Sequence, residues 1–145
     1  MNTYMLLAVK EALKSGEDVP VGAVIVKDDK IISKAHNRVI EDNDPTAHAE
    51  ILAIREASGI LGSHNLSGCS IYVTLEPCPM CTGAIINAKI DKVVFGTMDM
   101  GYGACGSRYN LLEDNKAKGI DVYGGIEEER CSVILKDFFK QIRNK

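Results

Sequence analysis

The chain has 145 residues, a length that fits one domain of the common size of about 100–150 residues. Hydrophobic residues make up 46% and charged residues 26%, which excludes intrinsic disorder, and no apolar stretch approaches the roughly 20 residues needed to cross a bilayer. A net charge of −3 argues against broad, non-specific binding of nucleic acid through many phosphates, which calls for a basic surplus, and leaves only a local basic patch open.

The start, Met1-Asn2-Thr3-Tyr4-Met5, lacks the basic region of a secretory signal, so a soluble cytoplasmic protein is expected. Five cysteines, an odd count without a signal, point away from paired disulfides and toward metal-binding, reactive or buried thiols. Histidine chemistry must use His36, His48 or His64.

Residues 3–15 read as an amphipathic helix, with Met5, Ala8, Val9 and Ala12 at spacings of three and four, ended by Ser15-Gly16. Val21 to Val26 is a β-branched run. The polar turn Lys27-Asp28-Asp29-Lys30 joins it to Ile31-Ile32 as a hairpin. Asp44-Pro45-Thr46 reads as a helix start, with Asp or Thr as cap, Pro in the first turn and Gly59 near the end. Cys69 to Leu75 is a third strand. Pro77-Cys78-Pro79 breaks it and opens a short helix through about Ala88.

Lys92 to Gly96 is a fourth strand and Met98 to Ser107 a Gly-rich irregular segment. A short helix is predicted at Tyr109 to Asp114 and a fifth strand at Ile120 to Tyr123. The last helix runs from Ile126 to Arg143, with Cys131, Ile134, Leu135, Phe138 and Ile142 at helical spacing. No repeat or linker divides residues 1–145, so one domain is expected. The order of elements predicts an α/β fold, a three-layer αβα sandwich around one five-stranded mixed sheet.

Two short segments carry chemistry. His48-Ala49-Glu50 and Pro77-Cys78-Pro79-Met80-Cys81 each stand at a predicted helix start. Zinc takes thiolate and imidazole ligands in a tetrahedron, and two cysteines three apart on a helical turn can reach one ion. A helix N-terminus also favours the thiolate. His48, Cys78 and Cys81 therefore form a candidate ligand set, with no fourth protein ligand evident nearby. An open fourth position marks a catalytic zinc site, where a bound water becomes a nucleophile near neutral pH. Glu50 is the candidate proton shuttle from that water to a leaving amine. Positions two apart on a helix diverge, so Glu50 reaches the water only if the ion sits off the helix end.

His-x-Glu and Pro-Cys-x-x-Cys, separated by a strand, make up the signature of zinc-dependent nucleobase deaminases. The resemblance extends further, to bacterial tRNA adenosine deaminases over about residues 5–100 and again at the last helix. It is carried by Val19-Pro20-Val21-Gly22-Ala23-Val24-Ile25-Val26, Asn37-Arg38, Asp44 to Glu50, Thr74 to Cys81, Val93-Val94-Phe95-Gly96 and Phe138-Phe139 with Arg143. The resemblance implies a cytidine-deaminase-like fold, one Zn2+ per subunit on His48, Cys78 and Cys81, and Glu50 as proton shuttle. It also implies a homodimer and conversion of adenosine to inosine at the wobble position of a tRNA anticodon loop. Asn37 matches a base-binding Asn, and Ala49 and Asp99 are the other implied substrate-binding positions.

Departures fall in the segment after Asp99, where Arg108-Tyr109 replaces an apolar pair, and at Asn115-Lys116-Ala117-Lys118-Gly119, where an Asn-His pair is missing. The end at Lys145, without a long basic tail, is a third departure. These differences keep a second reading open, a deaminase of free nucleobases or nucleosides of the guanine or cytosine type. A non-catalytic zinc or RNA-binding module is a third, which leaves Glu50 without a purpose.

The other thiols and charges read as ordinary. Cys69 and Cys131 are expected in the core and Cys105 in an exposed glycine loop. His36 and His64 are expected at ordinary polar positions. Glu127-Glu128-Glu129 suits a helix N-terminus. Lys136, Lys140, Arg143 and Lys145 either touch phosphates or form a solvated face.

Overall fold

Apolar, β-branched runs with no polar face form the middle of a sheet. In the computed structural model, which describes residues 1–117 and 119–144, β1 (Gly22–Lys27) is buried on both sides. It lies between β2 (Lys30–His36) and β3 (Cys69–Leu75), antiparallel to both. The hairpin turn puts both Asp28 and Asp29 at positive φ, 51° and 61°, the primed geometry that matches strand twist. β4 (Lys92–Thr97) and β5 (Asp121–Tyr123) continue the sheet in parallel, giving the order β2-β1-β3-β4-β5. The mixed sheet of five strands agrees with the expectation.

Four helices cover the two faces. α2 (Ala49–Leu61) and α3 (Pro79–Ala88) pack on one face. Ala49, Ala53 and Ala57 let α2 lie close over Ala23, Ile25 and Ile71, while Ile85 and Val93 fill the α3 side. α1 (Thr3–Ala12) and α4 (Glu128–Arg143) cover the other, where Met5, Ala8 and Cys131 meet Val24, Tyr72 and Val94. Burial of each large aliphatic side chain contributes about 1.5–3 kcal/mol. No helix among the described residues is long and apolar enough to cross a membrane.

The structure corrects several boundaries. The second helix does not start at Asp44-Pro45-Thr46. The Asp44 carboxylate instead accepts from the Thr46 N–H (2.8 Å) and hydroxyl (2.7 Å), a local turn that competes with helix. His48 is the N-cap, and the helix runs through Gly59 to a left-handed Gly62 at φ 64°. The segment after Tyr109 forms only short 3₁₀ turns at Leu111–Glu113 and Asn115–Ala117.

α4 buries only Cys131 fully. Ile134, Leu135 and Phe138 are half-buried and Ile142 is exposed, because the helix continues beyond its packing on β4. Glu128 and Glu129 stand in its first turn as expected, whereas Glu127 accepts from the Asn2 N–H (3.0 Å) and ties down the N-terminal segment. Lys136, Lys140 and Arg143 are exposed; Lys118 and Lys145 lie outside the described residues.

Candidate active site

Two helix N-termini meet beside the carboxyl end of β3. His48 is the N-cap of α2 (φ −73°, ψ 151°) and Cys78 the N-cap of α3 (φ −73°, ψ 174°), both with extended backbone. Pro79 at the first helical position supplies the φ that the helix needs and lacks the N–H it would waste. Cys81 follows one turn later, fully buried.

His48 Nδ1 lies 3.7 Å from Cys78 Sγ and 3.5 Å from Cys81 Sγ, and the three donor atoms lie within 4.8 Å of one another. Tetrahedral zinc with Zn–S near 2.3 Å and Zn–N near 2.0–2.1 Å separates sulfur and nitrogen by roughly 3.6 Å, so the donors fit one ion. Among the described residues no fourth His, Cys, Asp or Glu joins the cluster.

The electrostatics favour ligation. The Cys78 thiol is brought down to about 4 by the S–H it accepts from Cys81 and, further, by His48. Cys81, the donor of that pair, is pushed up, with burial adding to the shift. The pair thus favours the thiolate form at Cys78.

His48 precedes the helix rather than standing in it. That removes the two-residue conflict, since Glu50 leaves the first helical turn on its own course. Glu50 is 4% exposed, and burial lifts its carboxyl to about 7, with the Cys78 charge adding to the effect. A carboxyl poised there can take and give a proton near neutrality.

His48, Glu50 and Cys78 line a cavity of about 240 Å³. It is smaller than the roughly 300–1,000 Å³ of pockets for drug-sized ligands and suits a single planar base. Val19, Val39 and Leu75 add apolar walls, and Asn37, Asp99 and Tyr102 also line it.

The substrate-side expectations divide. Asn37 is buried and lines the cavity, but its amide is already a strut. Nδ2 donates to Val19 O (3.0 Å) and Oδ1 accepts from the Ala49 N–H (2.8 Å), leaving one Nδ2 hydrogen uncommitted. Ala49 is fully buried, spends its amide on Asn37 and is not among the lining residues. Asp99 lines the cavity while its Oδ1 accepts from the Gly101 and Tyr102 N–H groups (3.1 and 3.0 Å).

Cys69 and Cys131 are core residues as expected. Cys105 is not exposed. Its loop folds back on α3, where Sγ lies 3.5 Å from Thr82 Oγ1, and burial pushes the thiol up to about 11. His64 is exposed and His36 half-buried, 3.8 Å from Glu11.

Sequence reasoning missed Glu76, which is 2% exposed and lines the cavity. A signal was present. An acidic residue between the apolar end of a strand and Pro77 must be paired to be tolerated there.

An imidazole and two thiols set for one ion, with a buried carboxyl opening on a base-sized cavity, define on this fold the class of zinc-dependent hydrolytic deaminases. The family profile described as "Cytidine and deoxycytidylate deaminase zinc-binding region" matches residues 1–97. The chain belongs to that family, in its tRNA-specific adenosine deaminase branch. It is 45% identical to the tRNA-specific adenosine deaminase of Aquifex aeolicus over 143 residues, 97% of this chain and 95% of that protein. A solved structure from studies of A-to-I editing by tRNA:A34 deaminases at the wobble position of transfer RNA superposes with a TM-score of 0.87. It is 43% identical and covers 91% of this chain and 98% of its own. A guanine deaminase from Nitrosomonas europaea shares the fold at a TM-score of 0.82 and 25% identity, over 93% of this chain and 82% of its own.

Proposed function

We propose that the chain is a zinc-dependent hydrolytic deaminase that converts adenosine to inosine at the wobble position of a tRNA anticodon. The observation that carries the chemistry is the His48-Cys78-Cys81 cluster opening, beside Glu50, on a cavity sized for one base. The branch of its relatives carries the substrate.

Zinc held by these three residues would lower the pKa of a water toward about 7. As the water oxygen bonds to the ring carbon, Glu50 takes one of its protons and passes it to the adjacent ring nitrogen. Glu50 then carries the remaining hydroxyl proton to the amino nitrogen, so that the C–N bond breaks, ammonia leaves and the carbonyl forms. The apolar walls exclude bulk water from the base. Asn37 holds the start of α2 and, lining the cavity, keeps one Nδ2 hydrogen free for the base. Beside the cavity-lining Tyr102, the exposed Met100 and Tyr109, with Arg108 stacked 5.6 Å over Tyr109, suit the faces of unstacked flanking nucleotides.

The reading includes one deaminase domain, a cytoplasmic location and a homodimer. The groove between α2 and α3, lined in part by Ile51, Ile54 and Ala84, supports the pairing of two copies.

The test is deamination by purified protein of an anticodon stem-loop with adenosine at the wobble position, beside a panel of free bases and nucleosides. Inosine is expected in the stem-loop alone, with a binding affinity that falls as salt rises. Glu50→Ala is expected to retain zinc and lose about 10²–10⁴ in rate. Turnover of a free base with an inert stem-loop would overturn the substrate and favour the nucleobase reading. Full turnover by Glu50→Ala would remove the proton shuttle.

A further inference from the structure

The Glu76 side chain is one of the least accessible in the protein, and among the described residues no Lys or Arg pairs with it. A buried carboxylate without partners is too costly to persist. Here the partners come from one loop. Oε1 accepts from the Asp99 N–H (3.2 Å) and from the Ser107 hydroxyl in a short contact. Oε2 accepts from the Cys105 N–H (3.0 Å) and the Ser107 N–H (3.1 Å). One carboxylate thus satisfies donors from both ends of the segment between Asp99 and Ser107.

The middle of that segment meets the same group. A Cβ on Gly103 would stand 2.6 Å from Glu76 Oε1 and 2.6 Å from Asp99 O, so the backbone passes against the carboxylate where no side chain fits. Further bonds join the loop to its base. Gly103 N–H donates to Asp99 O (2.7 Å) and Ala104 N–H to Pro77 O (2.9 Å). Asp99 and Tyr102, the residues this loop contributes to the cavity, are therefore placed by a group on the end of β3.

We infer that Glu76 is a positioning residue, clamping the Asp99–Ser107 loop as the outer wall of the substrate cavity and so setting affinity for the substrate. The inference rests on the deaminase reading of the site. Charge-assisted bonds to a buried carboxylate are about twice as strong as neutral ones, so a neutral side chain of equal size loosens the clamp. In Glu76→Gln, one acceptor oxygen becomes an N–H group aimed at an existing donor.

The test compares wild type, Glu76→Gln and Gly103→Ala on the stem-loop substrate. Both variants are expected to raise KM about tenfold or more, to change kcat by less than about threefold, and to keep one zinc per chain. Amide hydrogen exchange at Asp99, Cys105 and Ser107 is expected to speed up at least about tenfold, with the β3 amides unchanged.

An unchanged KM in both variants overturns the inference. So does loss of zinc with loop exchange unchanged, which would place the role of Glu76 at the Cys78 helix start instead. If Glu76→Gln does not fold, Gly103→Ala decides by the same readouts. The wild type's choice of substrate tests the deaminase reading separately. Should it turn over a free base, the KM ratio on that base and the exchange data still judge the clamp.

Discussion

On one side of the cavity, His48 and Cys78 cap helices that pack on the sheet through Ala49, Ala53 and Ala57 and through Ile85 and Ala88. On the other side, Asp99 and Tyr102 stand on a segment with no regular structure, held by one carboxylate. The metal wall inherits its precision from helix and strand. The loop wall is placed by polar contacts between residues 23 to 31 apart in sequence. One departure of this chain, Arg108-Tyr109, follows directly on the loop that forms the second wall.

The comparison is broken most directly at the metal. Cys81→Ser is expected to reduce zinc from one per chain to near none and deamination to background, read by metal analysis and inosine assay. Retention of zinc with activity would place the ion elsewhere.

A smaller effect is expected at the strut. Asn37→Ala leaves the Ala49 N–H and Val19 carbonyl without their partner, at a cost of about 1–3 kcal/mol measured by denaturant unfolding. A cost near zero would mean that α2 holds its start without Asn37.

The smallest stability change belongs to the loop face. Tyr102 is 58% exposed, and Tyr102→Ala is expected to alter stability by no more than about 0.5 kcal/mol. It should nevertheless raise KM for the stem-loop about fivefold, the low end of base stacking. Equal losses of stability at Asn37 and Tyr102 would erase the distinction between the walls.

Much of the site was readable because its ligands are close in sequence and each begins a helix. Cys78 and Cys81 lie within one turn, and Pro77 and Pro79 announce that turn. The second helix start was misplaced because Asp44, Pro45 and Thr46 satisfy the rules for a cap and a first turn. The Asp44 carboxylate spends itself on Thr46 instead, and the helix waits for His48. Cys105 was misjudged because a glycine-rich segment looks solvated until a buried partner such as Glu76 is known to draw it in. The periodic residues of α4 give its apolar stripe but not its depth, since only part of the helix meets β4.

The sequence by itself determined the strands, the helix faces and the metal donors. Each follows from side chains acting on their near neighbours, through period, cap and ligand spacing. Only the tertiary structure decided that His48 stands outside its helix, that Asn37 is a strut and that Glu76 gathers a loop. Those roles depend on which unpaired polar group meets which across the fold, and burial makes each meeting obligatory without recording its partner in the local sequence.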